Sequence, residues 1–257
     1  MVILVTGANG QLGQSVLKVA SKYPNLSFVY CDSSQLDITN LESCKQVFAK
    51  YNPDFCINTA AYTAVDKAES EPEKAFAVNV TGAKNLALVC KDFNTTLLHV
   101  STDFVFDGES TQPYKTTDKT NPINVYGKTK LEGEIAIQQI WEKHFIVRTS
   151  WVYSEFGNNF KKTMLRLAET RDEISVVNNQ IGRPTYAPNL ADFLISKIIS
   201  EDKNYGLYNF SDAKICSWYE FAVDIFKENN VSIKVNPIPA SQYPTPAKRP
   251  KYSVLEV

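Results

Sequence analysis

Short apolar runs alternate with amphipathic segments along the first 150 residues of the chain. The runs predict buried strands at Val2–Val5, Leu26–Cys31, Asp54–Asn58, Thr96–Val100 and Phe145–Thr149. Apolar residues at helical spacing predict helices over Gln11–Tyr23, from a cap at Asn40 to Tyr51, over Glu69–Lys91, and after Asn121 and Pro122 as cap and first residue. This alternation predicts right-handed crossovers and an α/β fold with a doubly wound parallel sheet of the Rossmann type.

The second half of the chain mixes shorter elements. Short helices and strands are predicted over residues 160–170, 174–177 and 218–226, and we expect them to build a smaller C-terminal substrate lobe. Residues 188–199 and 206–210 are expected to return to the main sheet. The predicted organisation is a nucleotide-binding domain over residues 1–150, rejoined by 186–212, with the lobe formed by 151–185 and 213–257.

Three glycines, Gly7, Gly10 and Gly13, follow the first strand at intervals of three and lead into a helix. Backbone N–H groups and the positive end of the helix dipole converge at such a turn, and the missing Cβ atoms let a pyrophosphate approach. An ordinary glycine turn is the alternative. The strand, turn and helix together favour a dinucleotide site.

Two further segments are expected at the same edge of the sheet: Asp32 after the second strand, and Thr59–Thr63 after the third strand, where small residues would let the cofactor pass over the backbone. Asp32 ends the second strand, 19 positions after Gly13, where a carboxylate would bind ribose hydroxyls and repel a 2′-phosphate. A loop acid or helix cap is the alternative for Asp32. We expect NADPH or NADH to bind, with Asp32 favouring NADH. The predicted cofactor-binding residues are Gly7, Asn9, Gly10, Gln11, Leu12, Gly13, Asp32, Asp37, Ile38, Ala60, Ala61, Tyr62, Thr63, Tyr126 and Lys130.

Tyr126 and Lys130 are four residues apart on a predicted helix, so they share one face. Reduction of a ketone places negative charge on the carbonyl oxygen, which calls for a proton donor and strengthening hydrogen bonds. A lysine ammonium nearby, together with nicotinamide in its oxidised form, lowers the pKa of a tyrosine, which is about 10 in isolation. Thr102, at the tip of the fourth strand, supplies a hydroxyl. The predicted catalytic residues are Tyr126, Lys130 and Thr102; a solvated helix face is the alternative for the spacing alone.

Longer motifs give the chain a family resemblance. They are Thr6-Gly7-x-x-Gly10-x-x-Gly13, Asn58-Thr59-Ala60-Ala61-Tyr62-Thr63, Ser101-Thr102-Asp103-Phe104-Val105-Phe106-Asp107-Gly108 and Tyr126-Gly127-x-Thr129-Lys130-x-x-Gly133-Glu134. The chain resembles the extended short-chain dehydrogenase/reductases, and within them the dTDP-4-dehydrorhamnose reductases. The resemblance implies NAD(P)H-dependent reduction of dTDP-4-dehydro-β-L-rhamnose to dTDP-β-L-rhamnose, the last step of dTDP-rhamnose biosynthesis for polysaccharide.

The substrate side of the site is predicted from fewer residues. Trp151 follows the fifth strand, where an indole would stack on a deoxyhexose; a core tryptophan is the alternative. Arg183 and Arg249 are candidates for the diphosphate, because a guanidinium matches its oxygens; surface arginines are the alternative. The predicted substrate-binding residues are Thr102, Asp103, Tyr126 and Trp151.

The composition of the chain limits the classes of binding partner and the cellular compartment that we expect. A net charge of −1 gives no sign of nucleic-acid or membrane binding. Five cysteines without a Cys-x-x-Cys pair, with no signal or transmembrane pattern, fit a cytoplasmic protein. We expect a nucleotide-sugar substrate and a monomer or homodimer.

The resemblance also bears on metal binding. In some family members magnesium bridges a dimer through acidic residues, one of them just after the third turn glycine. Gln14 and Ser15 stand there in this chain, so we expect no metal. His99 and His144 lack ligand spacing, and we interpret both as structural.

Two alternative functions are left open. Another nucleotide-sugar reductase or an epimerase would use the same residues, whereas a dehydratase would need a Glu beside Asp103, where Phe104 stands. A non-catalytic regulatory subunit resembling that of methionine adenosyltransferase is the other alternative. The presence of Tyr126, Lys130 and Thr102 favours an enzyme.

Overall fold

The computed structural model describes residues 1–200 and 203–257; residues 201 and 202, within the predicted returning segment, lie outside the described residues. The strands are β1 (Val2–Thr6), β2 (Ser27–Cys31), β3 (Phe55–Asn58), β4 (Thr96–Thr102), β5 (His144–Thr149), β6 (Val152–Tyr153), β7 (Glu173–Val177), β8 (Ile181–Gly182), β9 (Thr185–Tyr186), β10 (Gly206–Asn209), β11 (Cys216–Ser217) and β12 (Lys234–Ile238). The helices are α1 (Gln11–Ala20), α2 (Leu41–Tyr51), α3 (Val65–Ala68), α4 (Pro72–Phe76), α5 (Ala83–Asp92), α6 (Val125–Ile140), α7 (Phe160–Ala168), α8 (Ala187–Ile199) and α9 (Trp218–Glu228).

Six parallel strands form the main sheet in the order β10-β5-β4-β3-β1-β2. Val5 of β1 lies between Tyr30 of β2 and Ile57 of β3. The chain passes from β2 across β1 to β3, so the winding direction reverses between β1 and β3. Ligands of open α/β sheets bind at such a reversal, beyond the carboxyl ends of the strands. The doubly wound parallel sheet predicted from the sequence is confirmed.

Helices cover both faces of the sheet. On one face Val16 of α1 and Leu194 of α8 pack against the strands, and on the other Phe48 of α2, Leu86 of α5 and Ile137 of α6 do so. All five side chains are fully buried. Burying a side chain of this size stabilises the fold by about 1.5–3 kcal/mol. The two apolar layers therefore hold the strand ends, and the residues that follow them, in fixed positions.

The predicted helix over residues 69–91 is interrupted. It consists of α4 and α5 joined by a π-helical turn over Ala77–Gly82, and the short helix α3 precedes it. Inside the π-turn, the buried Asn79 accepts a hydrogen bond from the backbone N–H of Tyr62 and donates to its carbonyl oxygen and to the Thr129 hydroxyl. The wider turn points a polar side chain inward, which periodicity alone does not indicate.

Two element boundaries differ from the prediction beside the site. Helix α6 begins at Val125, because Asn124 rather than Asn121 is its cap and accepts from the N–H of Gly127. Strand β4 continues two residues beyond Val100, so that Ser101 and Thr102 pair with β5. With these observed boundaries, the start of α6 and the tip of β4 lie close together.

A separate apolar cluster is built by α7, α9, β7 and β12. Helix α9 starts with a reciprocal capping pair of Ser217 and Glu220. Strand β12, which the sequence pattern did not predict, pairs in parallel with β7. No helix among the described residues has both the length and the apolar character needed to cross a membrane.

Candidate active site

A cavity of about 360 Å³ opens between the glycine turn after β1 and the segment after β3. Its lining residues are Gly7, Asn9, Gly10, Asp32, Ser33, Leu36, Asp37, Ile38, Thr39, Thr59, Ala60, Ala61 and Val78. Eight of these were predicted from the sequence to bind a cofactor. Ser33, Thr39 and Thr59 adjoin predicted residues and could have been inferred from that, whereas Leu36 and Val78 carry no sequence signal.

The backbone at the glycine turn fits a dinucleotide. Gly7 has a φ of +66°, and a Cβ there would lie 2.7 Å from the backbone nitrogen of Ala60. Helix α1 begins at Gln11 without a side-chain cap or an acidic residue in its first turn. Because its first N–H groups lack side-chain caps, they are suited to a phosphate.

Five of the other predicted cofactor residues do not line the cavity. Gly13 packs against the turn, since a Cβ there would lie 2.5 Å from the Gly7 oxygen, and Leu12 packs against the sheet. Gln11 binds Asn159 and the Val152 carbonyl, at 2.7 and 3.1 Å.

The other two of these residues, Tyr62 and Thr63, follow β3. The Tyr62 hydroxyl donates to Glu71 at 2.8 Å, and Thr63 accepts a hydrogen bond from the N–H of Val65. Both residues shape the loop beside the cavity.

Asp32 stands at the cavity wall as a charged group. Its Oδ2 accepts from Asn9 Nδ2 at 2.7 Å, and its Oδ1 accepts from the Ser34 N–H at 2.9 Å. Hydrogen bonds led by that from the Ser34 hydroxyl hold the pKa of Asp32 below its usual value. The carboxylate is therefore ionised at neutral pH, and its negative charge lies at the edge of the cavity.

Tyr126 and Lys130 both face β4 from one side of α6. Lys130 is 2% exposed, and its Nζ donates to the Val100 carbonyl at 2.7 Å. Tyr126 is partly buried against the ring of Phe104, with 5.8 Å between centroids, and its phenol faces the Thr102 hydroxyl. The helical spacing thus brings together the three residues that the sequence assigned to catalysis.

Burial controls the proton equilibria of this pair. It raises the pKa of Tyr126 to about 12, against the effect of the Thr102 hydrogen bond, and lowers the pKa of Lys130 to about 8, against the effect of Glu134. The lowering of the Tyr126 pKa that we expect from the Lys130 ammonium together with oxidised nicotinamide stays a prediction. In the structure the largest influence on both groups is burial, which favours their neutral forms.

Asp103 lies buried next to the catalytic candidates, with 2% exposure. Its Oδ1 accepts from the Thr102 hydroxyl at 3.1 Å, and its Oδ2 has no hydrogen-bond partner among the described residues. Burial raises the pKa of Asp103 to about 7. A carboxyl oxygen without a partner at this point is suited to a hydroxyl group of a bound molecule.

The raised pKa of Asp103 makes stability depend on pH. Because the folded protein keeps this proton up to about pH 7 and the unfolded chain releases it near pH 4, stability falls as pH rises between these values. Relative to the Asp103→Asn variant, the free energy of unfolding should drop by about 2 kcal/mol between about pH 5.5 and 7.5. Urea unfolding of both proteins at each pH measures this drop, and parallel curves would contradict it.

Trp151 is held in a strained conformation between β5 and β6. Its φ is +48°, uncommon for a bulky residue, and its indole stacks on Trp218 with 3.5 Å between ring centroids. Gly182 lies against the same indole, since a Cβ there would be 2.5 Å from Trp151 Cε2. Such strain concentrates at functional sites. Trp218, which the sequence analysis did not assign to the site, braces one face of Trp151.

The two candidate arginines have different surroundings. Arg183 has buried Nε and Nη1 atoms without a hydrogen-bond partner among the described residues. Arg249 instead donates from both terminal nitrogens to Asp66, at 3.0 and 2.7 Å. The expectation that Arg249 faces a diphosphate is therefore corrected, because its guanidinium ties the C-terminal segment to α3.

His99, interpreted from the sequence as structural, contacts Lys130: its Nε2 lies 3.3 Å from Lys130 Nζ. On its other side Asn58, the last residue of β3, lies 2.9 Å from His99 Nδ1. The sequence analysis did not assign Asn58 to the site, although a polar residue at the end of a buried strand was a signal that could have indicated it. No group of three or more potential metal ligands occurs in residues 1–200 and 203–257.

Comparison with known proteins identifies close relatives over the whole chain. The sequence model of the RmlD substrate binding domain family matches residues 1–257. The dTDP-4-dehydrorhamnose reductase of Aggregatibacter actinomycetemcomitans is 45% identical, over 99% of this chain and 90% of that protein. The crystal structure of a dTDP-4-dehydrorhamnose reductase from Clostridium acetobutylicum superposes with a TM-score of 0.96 at 45% identity, covering 100% of this chain and 90% of that one. That of Bacillus anthracis, in complex with NADP, superposes with a TM-score of 0.94 at 41% identity, covering 99% and 90%.

Proposed function

The chain belongs to the dTDP-4-dehydrorhamnose reductase family, and we propose on that premise that it reduces dTDP-4-dehydro-β-L-rhamnose to dTDP-β-L-rhamnose with NADPH or NADH. It is an oxidoreductase of dTDP-rhamnose biosynthesis. The observation that supports this function most directly is the placement of Tyr126 and Lys130 together against the tip of β4. That placement also favours an enzyme over a regulatory subunit.

The chain's own residues supply the proton chemistry. A reduced nicotinamide, when bound, supplies the hydride that reaches C4 of the sugar. With a pKa of about 12, the Tyr126 phenol is protonated at neutral pH, and it donates its proton to the C4 oxygen as charge develops there. The Thr102 hydroxyl, whose one proton is donated to Asp103 in the protein without substrate, turns to donate a second hydrogen bond to the same oxygen. Lys130 orients the nicotinamide ribose.

The cavity beside the glycine turn holds the adenosine half of the cofactor in this proposal. Gly7 and Gly10 allow the pyrophosphate to approach the start of α1, and Ala60 and Ala61 let the cofactor pass over the end of β3. The Asp32 carboxylate accepts from the ribose hydroxyls. The Bacillus anthracis relative was solved with NADP, which supports the use of NADPH in this proposal.

Replacing Asp32 with asparagine should shift cofactor preference toward NADPH. The amide keeps an acceptor for the Ser34 turn but removes the charge that repels a 2′-phosphate. Because the carboxylate is exposed, we expect the NADPH to NADH ratio of kcat/KM to rise about two- to fivefold. Asp37→Asn, at another carboxylate of the cavity wall, is the matched control. An equal shift in both variants would show that Asp32 has no special place at the ribose.

In this proposal the lobe formed by residues 151–185 and 213–257 faces the sugar nucleotide, and the domain formed by residues 1–150 and 186–212 holds the cofactor. Trp151 contacts the deoxyhexose with the part of its indole that Trp218 and Gly182 leave uncovered. Asp103 binds a sugar hydroxyl through Oδ2, and the partnerless nitrogens of Arg183 bind the diphosphate.

The activity is tested by following NADPH and NADH oxidation with enzymatically generated dTDP-4-dehydro-β-L-rhamnose, and by identifying the product by NMR. Formation of dTDP-β-L-rhamnose supports the proposal. Oxidation only with a different 4-keto nucleotide sugar, or release of a C5 epimer without oxidation, would assign the chain to one of the neighbouring activities.

We also propose that the protein works in the cytoplasm as a monomer or as a homodimer without a metal bridge. The five cysteines are all buried and unpaired, which fits a reducing compartment. Light scattering with and without magnesium tests the assembly: a mass that doubles only with magnesium would overturn the proposal.

A further inference from the structure

A buried row of four hydrogen-bonded side chains connects the start of the glycine turn with Lys130. The Thr6 hydroxyl donates to Asn58 Oδ1 at 2.6 Å, Asn58 Nδ2 lies 2.9 Å from His99 Nδ1, and His99 Nε2 lies 3.3 Å from Lys130 Nζ. None of the four side chains is more than 2% exposed. Because water does not reach them, each polar proton of these side chains needs a partner in the protein.

The orientation of the Asn58 amide is fixed by the backbone. The N–H of Ala60, which can only donate, lies 3.1 Å from Asn58 Oδ1. The atom that faces Ala60 is therefore the amide oxygen, and the atom that faces His99 is the NH₂ group. It follows that His99 Nδ1 accepts and carries no proton. A neutral His99 ring then has its proton on Nε2, which points at Lys130.

The contact between His99 and Lys130 has only one consistent arrangement of protons. Lys130 Nζ already donates to the Val100 carbonyl at 2.7 Å. An ammonium group has three donors and no acceptor, so it cannot accept from an Nε2–H. A neutral amine can, through its lone pair. We propose that His99 is a positioning residue that favours the neutral amine form of Lys130 in the protein without nucleotide.

The other titratable groups around this contact do not alter the arrangement. They are Glu134 and Tyr126 on α6, Asp103 after β4, and His144 and Arg148 on β5. Glu134 favours the ammonium form of Lys130, but its carboxylate is paired with Arg148 at 2.7 Å. Burial lowers the pKa of Lys130 to about 8 and that of His99 well below its usual value, and both shifts favour the proposed neutral forms.

This inference deepens the proposed function and rests on it for its catalytic meaning. Lys130 gains or loses its proton within the working pH range, so the charge next to the nicotinamide ribose depends on His99. The hydrogen bond from His99 to the amine would be lost on protonation of Lys130. Removing that hydrogen bond should favour the ammonium and raise the pKa of Lys130 by about one unit.

NMR of the full-length protein tests the arrangement without any turnover. The chain has two histidines, so long-range ¹H–¹⁵N spectra assign both rings with one variant. We expect His99 to show a protonated Nε2 and a bare Nδ1 from about pH 6 to 10. The ¹³Cε signal of Lys130, assigned by its loss in Lys130→Met, should titrate near pH 8. A protonated Nδ1, or a Lys130 that stays an ammonium above pH 10, would overturn the proposal.

The variant His99→Asn adds a second measurement. The shorter amide still reaches Asn58 but not Lys130, so the titration midpoint of Lys130 should rise by about one unit. His144→Asn is the matched control, since His144 is a buried histidine on the neighbouring strand that bonds to the Trp141 carbonyl instead. An unchanged midpoint in His99→Asn, or an equal rise in the control, contradicts the inference.

The pH profile of kcat/KM then distinguishes the effect of His99 on Lys130 from the proposed catalytic role of Lys130. If the Lys130 midpoint moves in the spectra and a limb of the profile moves with it, both proposals are supported. If the midpoint moves and the profile does not, His99 still sets the proton state of Lys130, and it is the catalytic role of Lys130 in the proposed function that fails.

Discussion

Replacing Tyr126 with phenylalanine should lower kcat by roughly 10²–10⁴-fold while leaving NADPH affinity nearly unchanged. The phenol is the group on α6 that faces the Thr102 hydroxyl, and with a pKa of about 12 it holds the proton that the developing alkoxide needs. Phenylalanine preserves the ring contact with Phe104, so the helix stays in place. Single-turnover oxidation of NADPH measures the chemical step, and fluorescence titration measures cofactor binding.

Tyr186→Phe is the matched control for this variant. Its hydroxyl is also bonded, to Glu155 at 3.1 Å, but it lies outside the catalytic group. We expect the control to keep near-normal turnover. A Tyr126→Phe protein that also retained it would remove the proton donor from the proposed mechanism, whereas loss of NADPH binding in the same variant would indicate a role in holding the cofactor.

The main sheet was predictable because its signals are local. Each buried strand is a short apolar run, and each crossover helix has its own apolar spacing, so the order of elements can be read along the chain. Parallel strands end at one edge, which is why the Gly7 turn and Ala60, far apart in sequence, could be assigned to one cavity. The predicted positions of Tyr126, Lys130 and Thr102 follow from the same logic.

The features that the sequence did not predict depend on contacts between segments that are far apart in sequence. The π-turn at Asn79 exists because its amide bonds to Tyr62 and Thr129, neither of which is its neighbour in sequence. The stack of Trp151 on Trp218 joins two residues that are far apart in sequence and that periodicity treats separately. The raised pKa of Tyr126 in the protein without nucleotide was not predicted for a related reason, since burial is a property of the assembled site.

Replacing Arg148 with leucine should destabilise the protein by about 3–5 kcal/mol. Arg148 and Glu134 are 3% and 1% exposed, and the guanidinium donates to both carboxylate oxygens, from Nη2 at 2.7 Å and from Nε at 3.0 Å. The Ser101 hydroxyl also donates to Glu134. Leucine in place of Arg148 would leave a buried carboxylate without its counter-charge, between α6 and the tip of β4. Urea unfolding at neutral pH measures the loss.

The double variant Arg148→Leu with Glu134→Leu is the informative comparison, because it removes the pair rather than one partner. Since desolvation of both charges offsets much of their attraction, the double variant should recover most of the stability lost in the single one. Recovery would show that the cost in Arg148→Leu comes from an uncompensated charge. If both variants were equally unstable, the pair would be holding α6 against β5, beside the tip of β4, through its geometry, and the double variant should then also lose the alignment of Tyr126 with Thr102 and, with it, turnover.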